Sequence, residues 1–76
     1  MVSTPTRYRV RFAVHITRTY RDNYLAELAE NTHAETRELS DGRIEIKDFL
    51  PKESGEIFDA LQQEETRGAL IIEDFN

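Results

Sequence analysis

The chain contains no cysteine. Disulfides, thiolate metal sites and cysteine nucleophiles are thereby excluded. Small secreted domains lean on disulfide staples, so a cytoplasmic location is expected. No segment approaches the roughly 20 apolar residues of a membrane-spanning helix. The opening MVSTPT is short and polar, so no signal peptide is expected either. Glycine is scarce: Gly42, Gly55 and Gly68 stand apart and build no phosphate loop. His15 and His33 fall in no His-x-x-x-His or His-Glu-x-x-His pattern, and residues 38–48 lack the spaced oxygen ligands of a calcium loop. Ser40 and Ser54 are accounted for by turn and cap roles. His15 with Glu73 would be an acid–base pair across a sheet, but a hydrogen-bonded surface histidine is the simpler reading. No catalytic residue, metal or cofactor is expected.

What remains is 76 residues, enough for one domain and a single core. A flat binding surface is easier to build on such a core than a deep cleft. The formal net charge is -5, unevenly spread. Residues 1–21 hold Arg7, Arg9, Arg11, Arg18 and Arg21 and no acid, whereas residues 22–76 hold every acid. The surface is therefore expected to carry a basic patch and a larger acidic one.

Residues 1–6 read as a flexible N-terminal arm and 7–76 as a single α+β domain. RYRVRFAVHIT alternates over its whole length, and a strand is expected over 7–18. Tyr8, Val10, Phe12, Val14 and Ile16 would face inward, opposite Arg7, Arg9, Arg11 and His15. Thr19 and Asp22 resemble a capping box opening a helix, with Tyr24, Leu25 and Leu28 on its buried face and Asn31 and Thr32 at its exit. Asp41-Gly42 between two alternating runs predicts a hairpin, its first arm over 34–39 a weak edge strand. The second arm, RIEIKDF, sends Ile44 and Ile46 inward and Arg43, Glu45, Lys47 and Phe49 outward. Pro51 or Ser54 starts a second helix with Ile57, Phe58 and Leu61 buried, and Gly68 ends it. ALIIEDF forms the last strand, with Leu70 and Ile72 inward.

Strand, helix, strand, strand, helix, strand is the order of a ferredoxin-like sandwich. Its sheet would be four-stranded and antiparallel, its two helices on one face, and its first and third strands central. The arginine stripe would then look out from the open sheet face. Nucleic-acid binding there needs exposed aromatics for stacking, and only Phe49 is on offer; the net charge is also of the wrong sign. Pairing of the arginines with Glu45 and Glu73 on neighbouring strands is the expectation.

The acids spread over both helices. Glu64 and Glu65 sit in the last turn of the second helix, where the helix dipole disfavours anions, so they invite a further role. The function expected is a small acidic, non-enzymatic protein-binding module. The specific form is an inhibitor occluding the basic nucleic-acid site of a partner complex, as DNA mimics and anti-restriction or anti-CRISPR proteins do, with Glu27, Glu30, Glu56, Asp59, Glu64 and Glu65 carrying the contact. The partner would be a protein, with no direct nucleic-acid or membrane contact. The alternative is a regulatory or self-associating domain using Arg7, Arg9, Arg11 and His15 on the open face, so monomer and homodimer both stay open.

Overall fold

The computed structural model describes residues 5–75. Strand β1 (Arg7–Phe12) is followed by helix α1 (Arg18–Asn31), strands β2 (Glu35–Glu38) and β3 (Ile44–Lys47), helix α2 (Ser54–Thr66) and strand β4 (Leu70–Phe75). The protein is α+β, with a four-stranded antiparallel sheet in the order β2-β3-β1-β4 and two helices. β1 and β3 are central, and β2 pairs along its length with β3 as an edge strand. Of the arm expected over 1–6, the first four residues lie outside the described residues. Pro5 is tied down: its carbonyl accepts from Ser54 Oγ at 3.2 Å.

Alternation buries Tyr8 and Val10 on one face of β1. They share one core with Ile44, Ile46 and Leu70 from the sheet, Leu25 and Leu28 from α1, and Ile57 and Leu61 from α2. Burying each such side chain contributes about 1.5–3 kcal/mol. Phe12, Tyr24, Phe58 and Ile72 pack at its margin.

β1 is half the length the alternation suggests. It stops at Phe12, and the Ile16 amide donates to the Ala13 carbonyl at 3.0 Å, closing a turn. Val14 is fully exposed and Ile16 only partly buried, so neither is the core residue expected. His15 belongs to this turn, not to the sheet. The cause is helix entry. Thr17, rather than Thr19, is the cap, its hydroxyl accepting from the Tyr20 amide at 3.1 Å. With Thr17 as cap, Arg18 onward is helical, so the extended backbone ends before it.

A second departure lies after β3. Asp48 adopts φ 63, in the left-handed region that aspartate tolerates. The twist reverses the side-chain phase. Phe49, expected outward, turns in and stacks on Tyr8 with ring centroids 5.6 Å apart. The hairpin between β2 and β3 follows the Asp-Gly signal: Gly42 has φ 90, and its amide donates to the Leu39 carbonyl.

Candidate protein-binding site

On the open sheet face the arginine stripe is answered by acids. Glu45, in register with Arg9, lies 3.4 Å from it and 3.6 Å from Arg7. Glu45 is only 6% exposed, covered by the side chains around it. Arg9 also reaches Asp74 at 2.6 Å, and Arg11 reaches Glu73 at 3.1 Å. A β-bulge opposite Arg9 and Val10 inserts one extra residue into β4, which lets the consecutive Glu73 and Asp74 both meet arginines. Arg43 joins Glu73 to Asp41, whose carboxyl is held below its ordinary value by the Arg43 amide and guanidinium. Arg7, Arg9 and Arg11 are thus together and internally paired. His15 stands apart, and Glu73 is engaged by Arg11 and Arg43, so the His15–Glu73 pair considered from the sequence does not form.

The opposite side of the molecule is different. Tyr20 in the first turn of α1 donates a hydrogen bond to Glu64 in the last turns of α2, so the helices run antiparallel past each other. Between them lies a groove of about 350 Å³. Glu27 reaches it from α1 and Glu56 and Glu64 from α2, with Tyr20, Tyr24 and Arg67 among the remaining walls. Glu30 and Asp59 are exposed on the same two helices but do not line it. The hydrogen bond to Glu64, with some burial, holds the Tyr20 proton more tightly than usual. Burial, and then the Glu64 charge, pushes the Tyr24 phenol up to about 12.

Glu64 and Glu65 have occupations within the chain. Glu64 is 5% exposed and also accepts from Arg67 at 3.3 Å. Glu65 Oε2 accepts from the Ile72 amide at 2.9 Å, covering an outward donor of edge strand β4. Their unfavourable place at a helix C-terminus is explained by these bonds, and Glu64 is not a surface charge at all. Glu27, Glu30, Glu35, Asp48, Glu56, Asp59 and Glu65 make no ion pair among the described residues, against Arg37, Lys47 and Lys52 on the basic side.

Glu53 is a polar residue that no pattern in the sequence singles out. It is nearly buried and accepts from the Leu50 amide at 2.8 Å, the His33 amide at 3.1 Å and His33 Nδ1 at 3.0 Å. It fastens the exit of α1 to the entry of α2. Its spacing from Leu50 is the only local signal, that of a side chain reaching back three residues to an entering amide. Among the described residues no set of three histidine, aspartate or glutamate side chains could hold a metal ion, and no helix is long and apolar enough to cross a membrane. No protein-family model, curated protein or solved structure matches the chain.

Proposed function

We propose that this chain is a small cytoplasmic, non-enzymatic protein-binding module of ferredoxin-like topology. In its specific form it is an inhibitor whose acidic helical layer occludes the basic nucleic-acid-binding site of a partner complex. The topology reading is supported by the element order and by the central position of β1 and β3. The observation that carries the functional reading is the division of charge. Ion pairs absorb the arginines of the open face, and the uncompensated acids Glu27, Glu30, Glu56 and Asp59 are left on the helices. Such a face attracts a basic surface at long range and makes association salt-sensitive.

Three observations count against competing readings. Phe49 points into the core, so the open face loses the aromatic on which a base would stack. Arg9 and Arg11 are already paired within the chain, which weakens the case for self-association through them. The groove tyrosines have their protons held more tightly, the reverse of what activating a general base would need.

The test is a tagged chain exposed to nuclease-treated bacterial lysate at low and high salt, with captured proteins identified by mass spectrometry. The expected result is a nucleic-acid-binding protein held at low salt, released at high salt, displaced by added duplex DNA or RNA, and lost when Glu27, Glu30, Glu56 and Asp59 are all changed to Lys. Capture that survives both the competitor and the charge reversal overturns the reading. Recovery of the chain's own copies alone returns attention to the open face.

A further inference from the structure

β1 ends where its own pattern does not. Tyr8, Val10 and Phe12 form its inward face, and the same phase runs on without a break to Val14 and Ile16. In the fold these two residues lie in a turn, with Val14 fully exposed and Ile16 only partly buried. A single exposed valine is ordinary. A β-branched pair in phase with the buried face of the strand it adjoins is not. Ala13, Val14, His15, Ile16 and Thr17 carry a local preference for extended backbone that the fold overrides.

The turn is lightly held. The Ile16 amide donates to the Ala13 carbonyl at 3.0 Å, and neither Val14 nor His15 has a positive φ, which fits a type I turn. Valine and histidine are not among the residues that favour its central positions. The elements on either side stand without it. On the strand side the Ala13 amide donates to the Ala69 carbonyl at 2.8 Å, and on the helix side Thr17 caps α1. Straightening residues 13–17 therefore gives up the Ile16–Ala13 bond and leaves strand and helix as they are. β1 then points away from its own sheet and needs a seat between a β3 and a β4. A second copy of the chain supplies a seat of identical shape. There the registers of β1 with its two neighbours are remade, as are the bonds of Tyr8 and Pro5 to Ser54.

We propose that residues 13–17 are a hinge and that two copies of the chain exchange β1, giving a domain-swapped dimer. Its two hinges run antiparallel across the two-fold axis as a ribbon centred on His15, with Val14 of each chain opposite Ile16 of the other. The contacts of the closed fold are kept except for the turn bond, and the ribbon adds the strand pairing that the alternation encodes. Exchange of an identical element is for this reason a low-cost route to a dimer. β1 is a central strand, so exchange requires the sheet to come apart. The dimer therefore forms during folding at high concentration and reverses slowly. Both helical layers stay uncovered in it, so the dimer and the acidic-module reading stand or fall separately.

The test refolds the full chain from urea at low and at high protein concentration and reads the mass by size exclusion with light scattering. A dimer is expected from the concentrated sample and is expected to persist for hours after dilution. Exchange is read by refolding a mixture of Val10→Cys and Ile44→Cys chains in reductant and then oxidising it. These positions are register partners buried in the core, so a disulfide between the two chains forms only if β1 of one has entered the other. A chain carrying both substitutions, which closes the same bond within a monomer, is the control. Val14→Pro suits the second position of the turn and removes an N–H from the ribbon, so it lowers the dimer-to-monomer ratio about tenfold without lowering the melting temperature of the monomer. His15→Val raises the ratio, because a β-branched residue favours the extended form. A chain that is monomeric at every concentration overturns the proposal. So does a dimer that falls apart within minutes of dilution, that gives no disulfide between chains while the control closes, or whose yield ignores both hinge substitutions.

Discussion

Glu53 Oε2 lies 3.0 Å from His33 Nδ1 while the same carboxylate accepts the backbone amides of His33 and Leu50. Burial alone would raise its carboxyl, but the bonds from Leu50 and His33 outweigh burial and hold it below the ordinary value. A carboxyl whose value is depressed on folding stabilises the fold fully above its unfolded value, near 4.5, and that stability is lost as pH falls through the folded value. Asp41, depressed by the Arg43 amide and guanidinium, acts in the same sense from its own lower unfolded value of 3.8. Melting temperature is therefore expected to fall as pH is lowered below about 4.5. Glu53→Gln should melt lower at pH 7 and lose less on acidification. Equal pH slopes for the two proteins would show that Glu53 is not the group responsible.

Phe49 is buried against Tyr8, and Phe49→Ala is expected to cost about 3 kcal/mol by urea denaturation. Were Phe49 on the open face, as simple alternation has it, the loss would stay below about 1 kcal/mol. The measurement thus distinguishes the two placements directly.

That contrast marks the limit of what could be read from the sequence. The period-two patterns of β1 and β3, the helical spacing of Leu25 and Leu28, the Asp41-Gly42 turn and Gly68 after α2 each give a local reason for the element observed. The pairing of Arg9 and Arg11 with Glu45 and Glu73 also follows from which strands are neighbours. What was not legible depends on a single dihedral or on tertiary phase. One positive φ at Asp48 moves Phe49 from one face to the other. The cap at Thr17 rather than Thr19 ends β1 early and exposes Val14, which the alternation alone cannot reveal. At the candidate site, the acids of α1 and α2 are visible as charges. That Glu27 and Glu56 share a groove, whereas Glu64 is consumed by Tyr20 and Arg67, depends on how the helices are rotated.

Tyr24 makes a prediction at the alkaline end. Its phenol is pushed up to about 12, first by burial and then by the Glu64 charge. A group whose value is raised on folding stabilises fully below its unfolded value, here 10.0, and that contribution is lost as pH climbs towards about 12. The protein should therefore begin to lose stability above pH 10, and Tyr24→Phe should reduce the loss. Absorbance titration at the phenolate band should show one tyrosine ionising late in the native protein and normally in denaturant. A Tyr24→Phe protein that still shows the late step would assign it elsewhere.

Two acids on the arginine face contribute unequally, and distance is the wrong guide to which matters more. Asp74 is nearer to Arg9, at 2.6 Å, than Glu45 is, at 3.4 Å. But the Asp74 side chain is 47% exposed and that of Glu45 only 8%. An exposed pair is weakened by water and by the entropy of holding two side chains, so Asp74→Ala should cost less than about 1 kcal/mol. Removing Glu45 takes away the buried acceptor that Arg7 and Arg9 share and leaves Arg9 with Asp74 alone, so Glu45→Ala should cost about 2 kcal/mol. Salt sharpens the distinction: 1 M NaCl should erase most of the Asp74 contribution and spare that of Glu45, because screening acts on exposed charges. Equal costs for the two substitutions, or equal sensitivity to salt, would mean that Glu45 is as solvated as Asp74. The arginine stripe would then be a set of independent surface charges, available to a partner after all.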